Sequence, residues 1–334
     1  MADALSSADH STTLLVPSAT STSQTLELSY ERLTAGSKTF RFASYFLPRD
    51  CRNDAAVVYS FCRLVDDLAD DAPSIEQATT DLQLVRGELQ GRATARPIIA
   101  AYMAVASRTH ISGEVADALI QGVLSDQRTV RIQNDAELMT YCYQVASTVG
   151  LMMCGVLGVR DPRALAHAVD LGLAMQLTNI CRDVADDARM NRVYLPEERL
   201  RAAGTSSEAL IQGVAGRDAI ARVVRDLLAR AEQHYQSADA GMRWIPWRAR
   251  LAIVIAARTY RAIGVRLLAN GADAMAGRTV VPFTGKLYWA ARALLAFMLP
   301  KIQGWLPFPT HDARLHAGIP PWPGVHSPTR ILPP

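Results

Sequence analysis

Cysteine is scarce in this chain and poorly spaced for metal or disulfide work. Cys51, Cys62, Cys142, Cys154 and Cys181 are five among 334 residues, and none forms a CxxC pair. Their odd number, without a basic-then-apolar leader, predicts reduced thiols in a cytosol, each packed as a small apolar residue. The seven histidines are isolated, with no HxxxH pair of the kind that ligates a metal from one helix face. Charge of one sign is lacking too. A net charge of +3 spread among acids, without a basic block, excludes a nucleic-acid surface as the leading reading and suits an anionic substrate or a membrane equally. A GxGxxG nucleotide fingerprint is absent.

Long apolar runs are also missing. A bilayer span takes about 20 residues. The nearest run, Leu287 to Leu299, is shorter and broken by Arg292. Together with Ile302, Trp305 and Phe308 it suits packing on the body of the protein, or rest on a membrane surface with Trp289 and Trp305 at headgroup level. Strand signals are sparse, because Val and Ile do not alternate in bounded runs.

What the chain has is helical periodicity, from about residue 28 to 300. Ile220, Val223, Val224, Leu227, Leu228 and Ala231 form one apolar stripe with charges on the other side. Asp161-Pro162 reads as a helix start, and Thr205 with Glu208 has capping-box spacing. The expectation is a single all-α domain over 28–299. A Ser- and Thr-rich leader without arginine precedes it over 1–27, and a proline-rich extended tail follows over 300–334.

Two acidic runs stand out. In Tyr59-Ser-Phe-Cys-Arg63-Leu-Val-Asp66-Asp67-Leu-Ala-Asp70-Asp71, a period of 3.6 puts Tyr59, Arg63, Asp66 and Asp70 on one stripe. Asp67 falls at its margin and Asp71 points away. In Gln176-Leu-Thr-Asn179-Ile-Cys-Arg182-Asp183-Val-Ala-Asp186-Asp187, the shared stripe is Gln176, Asn179, Asp183 and Asp187, with Arg182 pointing elsewhere. One such run is ordinarily a solvated helix face. Two whose acids align with Asn, Gln, Tyr and Arg point to chemistry. Mg²⁺ takes oxygen ligands and keeps open positions for substrate phosphates, so carboxylates on facing helices can grip a diphosphate through it and stabilise it as a leaving group. Without a cation, such acids would raise one another's pKa.

At these residues the chain resembles the squalene and phytoene synthase family, most closely in its bacterial phytoene synthase form. Gln176 to Pro196 is similar to the second family signature and Tyr59 to Asp70 to the first. Gly36-Ser-Lys-Thr-Phe40 and Tyr141 to Gly150 are similar to further blocks, so the resemblance covers roughly residues 28 to 290. Asp186 stands where glutamate is common.

The resemblance implies an isoprenoid-synthase-type helical bundle around a central cavity. It implies a head-to-head condensation of two prenyl diphosphates through a cyclopropyl intermediate. By that match Asp66, Asp70, Asn179, Asp183 and Asp187 hold Mg²⁺, with Mn²⁺ as substitute. Ser37, Lys38, Phe40, Gln176, Arg192, Tyr194, Arg278 and Lys286 bind substrate, and Arg63 contacts diphosphate. Tyr59 and Tyr141 steady cations or relay protons, or are simply buried tyrosines.

Small side chains at Ser44, Ala56, Val169 and Gly172 on inward stripes predict a tunnel long enough for geranylgeranyl chains, hence phytoene as product in carotenoid biosynthesis. A farnesyl-using dehydrosqualene, squalene or hydroxysqualene synthase, and a non-catalytic binding protein on the same scaffold, are the alternatives. A cytoplasmic protein touching the inner membrane face, beside enzymes that act on the carotenoid product, completes the expectation.

Overall fold

In the computed structural model, which describes residues 47–282, 285, 288, 289 and 310–326, the acidic runs lie on two long helices, α1 (Arg49–Asp70) and α7 (Arg163–Arg189). Between them come α2 (Ile75–Leu89), α3 (Pro97–Thr109), α4 (Gly113–Ser125), α5 (Asp135–Cys142) and α6 (Thr148–Val156). After α7 follow α8 (Glu197–Ala202), α9 (Ser207–Ile211), α10 (Arg217–Gly241) and α11 (Trp247–Ala269). Among the described residues there is no strand, only an isolated parallel bridge between Arg131 and Val193. The all-α expectation holds.

The sequence marks several helix starts with side chains that accept orphaned backbone N–H groups. Ser74 caps α2 through Gln77 N, and Asn134 caps α5 through Glu137 N at 2.9 Å. At α9 the cap is Ser206, which accepts from Ala209 N, not Thr205 as its capping-box spacing predicts. Asp161 accepts from Arg163 N at the start of α7, where Pro162 occupies the cap position.

Each long helix buries an apolar stripe distinct from its acidic one. On α7, Val169, Leu173, Leu177, Ile180 and Val184 are buried, and the helix packs along α10 through the predicted Ile220-to-Ala231 face. Truncating a residue such as Leu177 to Ala costs about 2–5 kcal/mol. On α1, Val58, Phe61, Cys62 and Val65 are buried against α3, α2 and α6, with Phe61 stacked on Tyr102 at 3.9 Å between ring centroids.

The helix through α5 and α6 is interrupted by a π-helical turn at Tyr143–Ser147. Two glycines allow its close approach to its neighbours. A Cβ on Gly122 would come within 2.7 Å of Gln144 Cβ, and one on Gly172 within 2.5 Å of Ser147 Cα. Such turns recur near functional sites because they re-aim the side chains beside them. Here Tyr141 stands two residues ahead of it.

Cys62, Cys142, Cys154 and Cys181 are free and buried and Cys51 is half-buried, as their spacing predicts. Burial pushes the Cys154 thiol up to about 12, so it is inert at neutral pH. The proline-rich stretch, expected as an extended tail, is packed onto the body over 310–326. His316, Ile319 and Val325 are buried there, and Pro323 O accepts from the Tyr143 hydroxyl at 2.7 Å.

Candidate active site

The carboxylates of both acidic stripes line a single cavity of about 230 Å³. α1 contributes Asp66 and Asp70. α7 contributes Gln176, Asn179, Asp183 and Asp187, and the segment after it contributes Arg192 and Tyr194. The remaining polar wall is Asp126 and Gln127, just past α4, and Tyr141 on α5.

The loop that carries Arg192 and Tyr194 is held by backbone pairing. Val193 N donates to Val130 O at 3.0 Å and Ile132 N donates to Val193 O at 3.3 Å. Arg131 braces the turn, donating to Asn191 O at 2.8 Å and to Asn191 Oδ1 at 2.6 Å. Asn191 itself sits at φ 60°, a left-handed conformation that Asn tolerates better than most residues.

Burial, with the crowding of acids, sets the electrostatics. Burial, with the neighbouring Asp70 and Asp67 opposing nearby Arg63, raises the Asp66 carboxyl to about 6. Burial and the adjacent Asp183 raise Asp187 to about 7. Asn179 offers a buried Oδ1 with no hydrogen-bond partner, while its amide donates to Gln176 Oε1 at 3.4 Å. A buried orphan acceptor beside unsettled carboxylates is the environment a hard cation would satisfy.

Asp126 carries no motif and was not legible in the sequence. Its two oxygens accept from two phenols, Tyr141 at 2.8 Å and Tyr194 at 2.9 Å, whose rings stack with centroids 4.9 Å apart. Burial pushes both phenols well above their ordinary pKa. Tyr141 is therefore a protonated donor fixed to Asp126, with its ring at the cavity.

Arg182 corrects the helical-wheel reading. It does not point elsewhere: its Nε donates to Asp183 Oδ1 at 2.8 Å and its Nη2 to Oδ2. Arg278 reaches the same carboxylate, Nε to Oδ1 at 3.0 Å. Asp183 thus gathers guanidinium groups at the cavity edge.

Other expected residues lie off this wall. Arg63 is half-exposed and paired with Asp67 at 2.8 Å, and neither it nor Tyr59 lines the cavity. Gly172 is filled against the Ser147 backbone, and Val169 gives its carbonyl to the Ser147 hydroxyl at 2.8 Å and its side chain to the 310–326 segment beside Gly324. Both positions are closely packed. Ala56 is fully buried on α1. Ser37, Lys38, Phe40, Ser44 and Lys286 lie outside the described residues.

Comparison with known proteins is concordant. The family model described as "Squalene/phytoene synthase" matches residues 33–290. A phytoene synthase of Pseudescherichia vulneris is 37% identical over 75% of this chain and 84% of its own length. A 15-cis-phytoene synthase of Pantoea ananas is 34% identical over 84% of this chain and 94% of its own. Among solved structures, a dehydrosqualene synthase superposes with a TM-score of 0.74 at 24% identity, covering 83% of this chain and 98% of that one. A squalene synthase of Alicyclobacillus acidocaldarius gives 0.69 at 23%, covering 77% and 97%.

Proposed function

Since the chain belongs to the squalene/phytoene synthase family, we propose that its acidic cavity joins two molecules of geranylgeranyl diphosphate head to head, through a cyclopropyl intermediate, to phytoene in carotenoid biosynthesis. The observation that carries this reading is the meeting of Asp66 and Asp70 with Asn179, Asp183 and Asp187 on one cavity, with Arg192 on its wall and Arg182 and Arg278 paired to Asp183. The relatives, named as phytoene synthases, favour the longer of the candidate substrates.

Mg²⁺ is the ion proposed, with Mn²⁺ as a substitute, held by Asp66, Asp70, Asn179, Asp183 and Asp187. The unpartnered Asn179 oxygen and the raised Asp66 and Asp187 carboxyls support that fit. When bound, the ion supplies positive charge to a departing diphosphate. Arg182, Arg192 and Arg278 bind the anion directly, since guanidinium forks match phosphate oxygens. Arg63 has the same chemistry at the α1 end, and Ser37, Lys38, Phe40 and Lys286 are carried as substrate contacts.

Tyr141 lines the cavity in which an allylic cation would form, and an aromatic face stabilises positive charge. Asp126 accepts from its phenol and from that of Tyr194, which fixes both side chains. Tyr59 remains a candidate for the same cation-steadying role. Of the tunnel positions, Ala56 is retained. Ala56→Trp should shift preference toward farnesyl diphosphate, provided the variant keeps the wild-type Tm.

Among the described residues no helix is long and apolar enough to cross a membrane. An apolar C40 product nonetheless needs a lipid destination, which supports peripheral contact at the cytoplasmic membrane face, beside enzymes that consume phytoene. Vesicle flotation tests that contact.

Purified protein with Mg²⁺ and geranylgeranyl diphosphate should release pyrophosphate and form phytoene, identified by mass spectrometry. A hydrocarbon from farnesyl diphosphate alone would assign the farnesyl chemistry instead. No pyrophosphate from either would make the chain a binding protein.

A further inference from the structure

The α7 helix carries a second polar cluster at its opposite end. Asp170 stands thirteen residues before Asp183, about 20 Å along the helix axis at 1.5 Å per residue. Its carboxylate is fully buried, yet it is surrounded by four polar side-chain atoms. His234 Nδ1 lies 2.6 Å and His316 Nε2 3.1 Å from Oδ1, while Ser237 Oγ lies 2.5 Å and His311 Nε2 2.8 Å from Oδ2. His311 and His316 come from the proline-rich segment; His234 and Ser237 come from α10. The histidines that look isolated in sequence are therefore gathered on one acid.

Proton placement in this cluster is constrained. His234 Nε2 is buried with no partner, so its ring is neutral, with the hydrogen on Nδ1 aimed at Asp170. The Ser237 hydroxyl donates to Asp170 and accepts from His167 Nδ1 at 2.9 Å. His316 Nδ1 lies 2.6 Å from the Val325 carbonyl, which can only accept, so Nδ1 carries a hydrogen. In the neutral ring, Nε2 of His316 is then a lone pair, and it faces a carboxylate oxygen at 3.1 Å. Two lone pairs at that distance repel unless a positive centre, a proton or a metal ion, lies between them.

From this geometry we propose that Asp170, His311 and His316 form a structural binding site for a divalent transition metal of the Zn²⁺ type, which fastens the 310–326 segment to α7. Their ligand atoms all lie within 4.8 Å of one another. A carboxylate with imidazoles is a donor set that zinc accepts, and hard magnesium does not seek imidazole. The outer contacts have the form such sites use. A ligating imidazole donates its other N–H to a carbonyl, here His316 to Val325, and the ligating acid is oriented by further donors, here His234 and Ser237.

The site stands apart from the acidic cavity, and its test does not depend on catalysis. Tag-free full-length protein is gel-filtered and its zinc, iron, nickel and manganese are measured by elemental mass spectrometry. About one equivalent of a transition metal per chain is expected, retained in Asp183→Asn and lost in His311→Ala and His316→Ala. Stripping wild-type protein with a chelator should lower its Tm by at least about 5 °C. It should also speed tryptic cutting after Arg314, which lies exposed between the two tail histidines. Zn²⁺ should restore both, and Co²⁺ should give visible d–d absorption. Wild-type protein that carries no transition metal, and whose Tm and Arg314 cutting ignore both chelator and Zn²⁺, overturns the proposal. The positive centre is then a proton on His316. Metal that survives in both histidine variants but leaves in Asp183→Asn overturns it equally, assigning the ion to the acidic cavity.

Discussion

Arg278, beyond the last long helix, places its Nε 3.0 Å from Oδ1 of Asp183 on α7. More than half of the Arg278 side chain is exposed, so the pair adds little to stability, and its value lies in what the guanidinium can bind. Arg278→Ala should raise KM for the diphosphate about tenfold, the loss of one charge-assisted contact. Its Tm should stay within about 2 °C of wild type. Steady-state pyrophosphate release with parallel thermal melts checks both.

Asn179 separates metal affinity from folding. Its buried Oδ1 has no protein partner, so Asn179→Ala removes an unmet acceptor, and Tm should hold or rise. The Mg²⁺ concentration for half-maximal activity should increase about tenfold or more. A Tm fall without a change in Mg²⁺ dependence contradicts the ligand role.

Removing Asp126 leaves the Tyr141 and Tyr194 hydroxyls without their acceptor inside the protein. Asp126→Ala should cost about 1–3 kcal/mol for each orphaned group, and Asp126→Asn less, because its carbonyl still accepts one bond. Urea unfolding of the two variants orders them.

Gly172→Ala forces a methyl to within 2.5 Å of the Ser147 backbone. Overpacking of this kind costs about 1–3 kcal/mol. The folded fraction should keep the wild-type ratio of products from C15 and C20 substrates. A changed ratio at unchanged stability would restore Gly172 to the tunnel.

Asp135 ties α5 to α8 and α10, accepting from Arg199 at 2.6 Å and from Arg230 at 2.8 Å. The Arg199 hydrogen bonds hold its pKa below the ordinary carboxylate value. A depressed folded-state pKa means that the stabilisation is full above the unfolded pKa, about 3.9. It is lost as pH falls further, through the folded value. The Tm gap between wild type and Asp135→Asn should be constant near neutrality and close in acid.

The sequence was legible where one helix carries the whole signal. Asp66 with Asp70, and Asn179 with Asp183 and Asp187, fall together because a period of 3.6 alone aligns them. Arg182 was misread because a wheel fixes the direction of Cβ, while a long guanidinium arm folds back to the neighbouring Asp183. Asp126 joins the site from a helix end and has no period to betray it. The Asp170 cluster was least visible, as its partners are separated by up to 146 residues of chain. Gly172 shows a different limit: a small residue on an inward stripe reads alike as open space or as close contact, and only the position of Ser147 decides.

The pairing of Val130 and Ile132 with Val193 also bears on the order in which the protein can be made. Asp66, Asp70 and Asp126 leave the ribosome well before Arg192 and Tyr194. Until the later segment docks, Asp126 lacks the nearby charge of Arg192 and the phenol of Tyr194. Long-range closure of this kind is slow relative to helix formation. The nascent chain therefore holds its helices early and its cavity late, and a polypeptide stopped before Arg192 is a set of helices around acids that repel.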